Sequence, residues 1–66
     1  MKHAENEYIN AGYQYERAPT PNMAIAIASR MRAMIESEHP DEQSEARRLI
    51  ALGIDEARQI NPTNRR

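Results

Sequence analysis

Apolar residues recur at helical spacing in three segments of the chain, and proline-containing breaks separate these segments. Residues three and four apart share one face of an α-helix, so each segment predicts a helix. In the first segment, residues 3–17, the apolar stripe consists of Ala4, Tyr8, Ala11 and Tyr15. Gly12 lies in the middle of this segment and costs about 1 kcal/mol of helix propensity relative to alanine. We therefore expect the first helix to be the least stable of the three.

The second segment, residues 21–38, is the most apolar. Thr20 is a suitable N-cap, and Pro21 occupies the first helical turn, where proline is favoured. Its principal stripe consists of Met23, Ala24, Ile27, Ala28, Met31, Met34 and Ile35. The opposite face is only weakly polar, with small residues at Ala26, Ser29 and Ala33. A helix that is apolar nearly all round is normally buried on two sides, so this pattern predicts the central helix.

The third segment, residues 40–60, shows the clearest amphipathic pattern. Asp41 and Glu42 follow Pro40 in the first turn, where the helix dipole favours negative charge. The apolar stripe consists of Ala46, Leu49, Ile50, Gly53, Ile54, Ala57 and Ile60. Gly53 lies at the centre of the stripe and lowers helix propensity. A close crossing by another helix would compensate for that cost, and we expect one at Gly53.

Together these segments predict an all-α fold, with one three-helix domain over residues 1–62. The helices are expected at about 3–17, 21–38 and 40–60, followed by a flexible tail at 63–66. The break between the second and third helices, at His39 and Pro40, is very short. We therefore expect these two helices to form a tight αα-hairpin, with the first helix packed across it.

The composition favours association with a second copy. A chain of 66 residues is too short to bury a large core, and usually needs a disulfide, a metal or a partner. The chain has no cysteine, and its two histidines lie in different segments. We therefore expect a homodimer to supply the missing buried surface. Its interface is expected at the small-residue face of the second helix, at Ala26, Ser29 and Ala33.

The sequence offers no catalytic, cofactor or metal motif, and we expect a non-enzymatic protein without a cofactor or a small-molecule substrate. Both glycines are isolated, so there is no phosphate-binding loop. His3 and Glu7 are four residues apart, which makes at best a weak metal site. The formal net charge is −1, no apolar run approaches the roughly 20 residues of a membrane span, and no signal peptide is evident. These features favour a cytoplasmic location.

A surplus of apolar residues off the main stripes points instead to a binding surface. We expect a small interaction or regulatory protein, in the style of the short accessory proteins of bacteria and their phages, that binds another protein. The residues expected at this partner-binding surface are Tyr13, Ile25, Arg32, Arg47, Leu52 and Arg58.

Two other functions fit the same sequence. A dimeric nucleic-acid-binding regulator would use Arg47 and Arg58, which share one flank of the third helix about 16 Å apart. Residues 41–66 carry equal numbers of acids and arginines, which disfavours this alternative. The second of these possibilities is a domain without a permanent partner, whose first helix folds only when a partner binds.

Overall fold

The computed structural model describes residues 3–60, and these form three α-helices. Helix α1 spans Glu5–Glu16, α2 spans Pro21–Glu36, and α3 spans Pro40–Ile60. No strand occurs within residues 3–60, so the all-α, three-helix prediction is confirmed. None of the three helices is both long and apolar enough to cross a membrane. The predicted tail at 63–66 lies outside the described residues.

The helix ends follow local chemistry. The side-chain oxygen of Thr20 accepts a hydrogen bond from the backbone N–H of Met23 at 3.2 Å, which confirms the predicted N-cap of α2. At the other end of α2, the backbone N–H of Ser37 donates to Ala33 and that of Glu38 donates to Ile35. Residues 37–39 then reverse the chain before α3 begins.

Helices α1 and α3 cross with their backbones in direct contact, because a glycine of each helix lies at the crossing. A Cβ atom on Gly12 would lie 2.9 Å from the carbonyl carbon of Ile50 and would overlap its oxygen. A Cβ atom on Gly53 would lie 2.8 Å from the carbonyl carbon of Ile9 and 2.9 Å from the backbone nitrogen of Tyr13. The close crossing predicted at Gly53 is therefore confirmed. Gly12, interpreted from the sequence as a weak point, is buried on the other side of the same contact.

The two crossing helices begin close to each other and end close to each other. Near the start of α1, Tyr8 reaches Glu38, just before α3. At the other end, Glu16 of α1 accepts a hydrogen bond from Arg58 of α3 at 3.2 Å. The buried core cluster consists of Tyr8, Ala11, Met31, Ala46, Leu49 and Ile50. Most of this core belongs to α1 and α3.

The expectation that the second helix is central is wrong. Met31 is the one buried residue of α2, whereas Ile25 and Met23 are 65% and 47% exposed. The predicted tight αα-hairpin is also wrong in its packing, since α2 touches α3 only sparsely and α1 packs extensively on α3. The physical reason is the glycine pair, which lets α1 approach α3 more closely than the longer side chains of α2 allow.

Candidate interaction surface

An open groove of about 350 Å³ separates α2 from α3 where the two helices fail to pack closely. Four apolar residues, Ala28, Met31, Ile35 and Ile50, form its inner part and are buried or half-buried. Three exposed charged residues, Arg32, Glu36 and Arg47, complete its lining. We call this surface the α2–α3 groove. An apolar interior with a few charged groups at its edge is typical of a recognition site.

Arg32 and Arg47 stand on opposite sides of the α2–α3 groove, one on each helix. Neither guanidinium forms a hydrogen bond or an ion pair among the contacts of residues 3–60. A guanidinium presents several N–H donors in one plane and binds carboxylates or phosphates through paired hydrogen bonds. The groove therefore combines apolar area with two positive charges available to a ligand.

The other residues predicted to bind a partner are not gathered at this groove. Ile25 lies seven residues before Arg32, hence on the same side of α2 about 10 Å along its axis. Arg58 is engaged with Glu16, and the guanidinium of Arg17 lies 5.5 Å from the ring centre of Tyr13. Leu52 is 39% exposed but lies about 140° around α3 from Arg47. The structure thus places Arg32 and Arg47 at the same groove. Tyr13, Leu52 and Arg58 do not line it.

The residues predicted at a dimer interface lie along the outer face of α2. Ala26, Ser29 and Ala33 are all exposed, and α1 and α3 leave this face uncovered. Ile25 lies on one side of this small-residue face and Met23 on the other. We call this surface the outer face of α2.

A buried polar network at the start of α1 was missed by the sequence analysis. The side chain of Glu38 is 1% exposed, and its Oε2 atom accepts a hydrogen bond from the hydroxyl of fully buried Tyr8 at 2.5 Å. The backbone N–H of His3 donates to the same oxygen at 3.1 Å, and His3 Nδ1 lies 3.1 Å from it. Such contacts satisfy a carboxylate that would otherwise be costly to bury.

This network links the start of α1 to the turn between α2 and α3. Burial of Tyr8, together with its hydrogen bond to Glu38, raises the pKa of the phenol above its usual range. The one signal available in the sequence was Tyr8 on the core stripe, because a buried tyrosine hydroxyl needs a partner. Nothing in the pattern identified Glu38 as that partner, since it is the last residue of the predicted second helix.

A second, more polar cleft of about 390 Å³ lies between α1 and α2. It is lined by His3, Glu7, Asn10, Ala11, Arg30 and Met34. Within residues 3–60, no three histidine, cysteine or acidic side chains are grouped so that they could hold a metal ion. His3 and Glu7 do line this cleft together, but His3 is already engaged with Glu38.

No protein-family model, curated protein or solved structure matches the chain.

We predict that Tyr8→Phe lowers the free energy of unfolding at pH 7 by about 1–3 kcal/mol, because the buried Glu38 carboxylate loses a donor. The effect shrinks at alkaline pH. Since the pKa of Tyr8 is higher in the folded protein than its ordinary value of 10.0, the unfolded chain loses this proton first. Stability therefore falls as the pH rises above about 10, and the variant lacks this contribution. Urea unfolding from pH 7 to 11 measures both effects.

Tyr15→Phe is the matched control, because Tyr15 is 37% exposed and its hydroxyl has no hydrogen-bond partner among residues 3–60. We expect this variant to unfold like the wild type at neutral pH. Equal stabilities for Tyr8→Phe and Tyr15→Phe would contradict the structural role of the network.

Proposed function

We propose that this chain is a small non-enzymatic interaction protein that regulates another protein by binding it in the α2–α3 groove. The observation that carries the proposal is the groove itself, with its apolar interior and with the guanidinium groups of Arg32 and Arg47, which have no partner within residues 3–60. Exposed apolar area bordered by charged residues is characteristic of protein-binding surfaces. Because α2 has Met31 as its one buried residue, its surface remains largely available to a partner.

The groove suits a protein better than a nucleic acid. A nucleic-acid-binding flank would need Arg47 and Arg58 together, but Arg58 is paired with Glu16. Glu36 also lines the groove, and its carboxylate would repel a phosphate backbone. The half-buried Ala28 and Ile35 of the groove contribute binding energy when the partner covers them with apolar side chains. These features favour a protein partner.

We also infer that the chain forms a homodimer through the outer face of α2. Small residues at Ala26, Ser29 and Ala33 allow a second helix to approach closely, and exposed Ile25 and Met23 supply apolar area beside them. A two-fold axis would place α2 of one copy against α2 of the other, since the same surface then serves both copies. The inner part of the α2–α3 groove, at Ala28, Met31 and Ile35, lies on a different side of α2 from this small-residue face.

A selection experiment tests the groove. We expect a library of displayed, helix-forming 16-residue peptides to yield binders that shift the backbone amide NMR signals of Ala28, Arg32 and Ile35. Ala28→Arg fills the groove and should weaken the selected peptides at least about tenfold, the equivalent of 1.4 kcal/mol. Gln14→Arg introduces the same side chain at an exposed position of α1, away from both the groove and the outer face of α2, and should leave their binding unchanged. A selection without binders, or with binders that map elsewhere, would contradict the proposed function.

Light scattering over a range of concentrations tests the dimer. We expect a mass twice the 7.6 kDa of one chain. Ala33→Glu should shift the mass to that of a monomer, because each copy would place a carboxylate against the other. Ala51→Glu makes the same change at an exposed alanine of α3 and should leave the dimer intact. A monomeric wild type at every concentration would refute this part of the proposal.

A further inference from the structure

We infer that the partner segment bound in the α2–α3 groove is an acidic amphipathic helix, whose carboxylates pair with Arg32 and Arg47 while its apolar side chains pack on Ala28 and Ile35. This inference rests on the proposed function and adds the chemistry of the partner. Three observations support it: the charge of the groove, the lack of a partner for Arg32 and Arg47 within residues 3–60, and the two helices that form the groove.

The charges of the groove favour an acidic ligand. Two arginines and one acid, Glu36, line it, so its local charge is positive although the whole chain has a formal net charge of −1. Three arginines outside the groove are engaged: Arg17 lies over Tyr13, Arg48 donates to Glu45 at 3.1 Å, and Arg58 donates to Glu16 at 3.2 Å. Arg30, at the other cleft, makes no such contact within residues 3–60. Arg32 and Arg47 have no such partner among the described contacts. Carboxylates of a bound segment would supply one to each.

The architecture favours a helix as the bound segment. Residues 3–60 contain no strand, so the described part of the chain offers no sheet edge to which an extended peptide could pair. The groove runs between two helices and presents an apolar line from Ala28 to Ile35 on α2. A helix fits such a groove by inserting apolar side chains at spacings of three and four residues. Acids beside these anchors would then face Arg32 on one side and Arg47 on the other.

Glu36 adds directionality to this recognition. It lies four residues after Arg32, one turn further along the same side of α2. A ligand carboxylate opposite Glu36 would be repelled, whereas a lysine or arginine there would be attracted. The preferred partner therefore carries acids near Arg32 and Arg47 and a basic or neutral residue near Glu36.

Charge reversal tests the inference. The same helix-forming peptide library is selected in parallel against the wild type, the double variant Arg32→Glu/Arg47→Glu and the control Arg30→Glu. Arg30 lies on α2 but lines the other cleft. We expect aspartate and glutamate to flank the apolar anchors of peptides selected by the wild type and the control. The double variant should select lysine and arginine at those positions, and should bind the wild-type peptides at least about tenfold more weakly.

The outcomes separate this inference from the proposed function. Groove-binding peptides without acidic enrichment, or with the same charge pattern in the double variant, would overturn the inference and leave the proposed function standing. A selection that yields no groove binder would overturn both. Binding of duplex DNA at low salt that is lost in the double variant would also overturn both, because phosphate would then be the ligand of Arg32 and Arg47.

Discussion

The structure depends on one contact, the crossing of α1 and α3 at Gly12 and Gly53. Each glycine packs on the backbone of the opposite helix, so no side chain separates the two helices at this point. Such closeness compensates for a composition without Phe, Trp or Val. The neighbouring residues Ala11, Ala46 and Ala57 are also small and almost fully buried. Many short-range contacts between backbones and small side chains thus replace the few large contacts that aromatic residues would make.

The position of α2 is a consequence of that crossing. Because α1 and α3 fit each other closely, α2 is left at the edge of the core, anchored by Met31 and by the network of Tyr8 and Glu38 at its end. The apolar residues of α2 that are not buried in the core lie in the α2–α3 groove and on the outer face of α2. The proposed function uses both surfaces, so α2, whose one buried residue is Met31, supplies most of the surface assigned to partners.

The sequence predicted the elements of the fold better than their packing. Helical periodicity, the Thr20 cap and the prolines located three helices, because these signals act within a few residues. They did not predict that α1, rather than α2, packs on α3, because an apolar stripe indicates which face is buried and not which helix covers it. The stripe did identify Gly53 as a crossing point. Gly12 carried the same information, but its cost in helix propensity was interpreted as weakness.

For the candidate site, the sequence likewise predicted individual residues better than their grouping. Arg32 and Arg47 were expected at a partner surface, yet Arg47 was grouped with Arg58 because both lie on one flank of a single helix. Tertiary structure places Arg47 at a groove with α2 and Arg58 against Glu16 of α1. Glu38 was not predicted at all, since its burial depends on Tyr8, which lies 30 residues earlier in the chain. Relations between helices, rather than the properties of one helix, determine both outcomes.

The free energy of unfolding of Gly53→Ala, measured in urea, tests the central claim most directly. At an open helical position this substitution would stabilise the protein by about 1 kcal/mol through helix propensity. The account predicts the opposite sign, a loss of about 2 kcal/mol or more, because the new methyl group meets the backbone of Ile9 and Tyr13. It also predicts that adding Gly12→Ala costs less than the sum of the two single changes, since one separation of the helices relieves both overlaps. A stabilised Gly53→Ala variant would contradict the account.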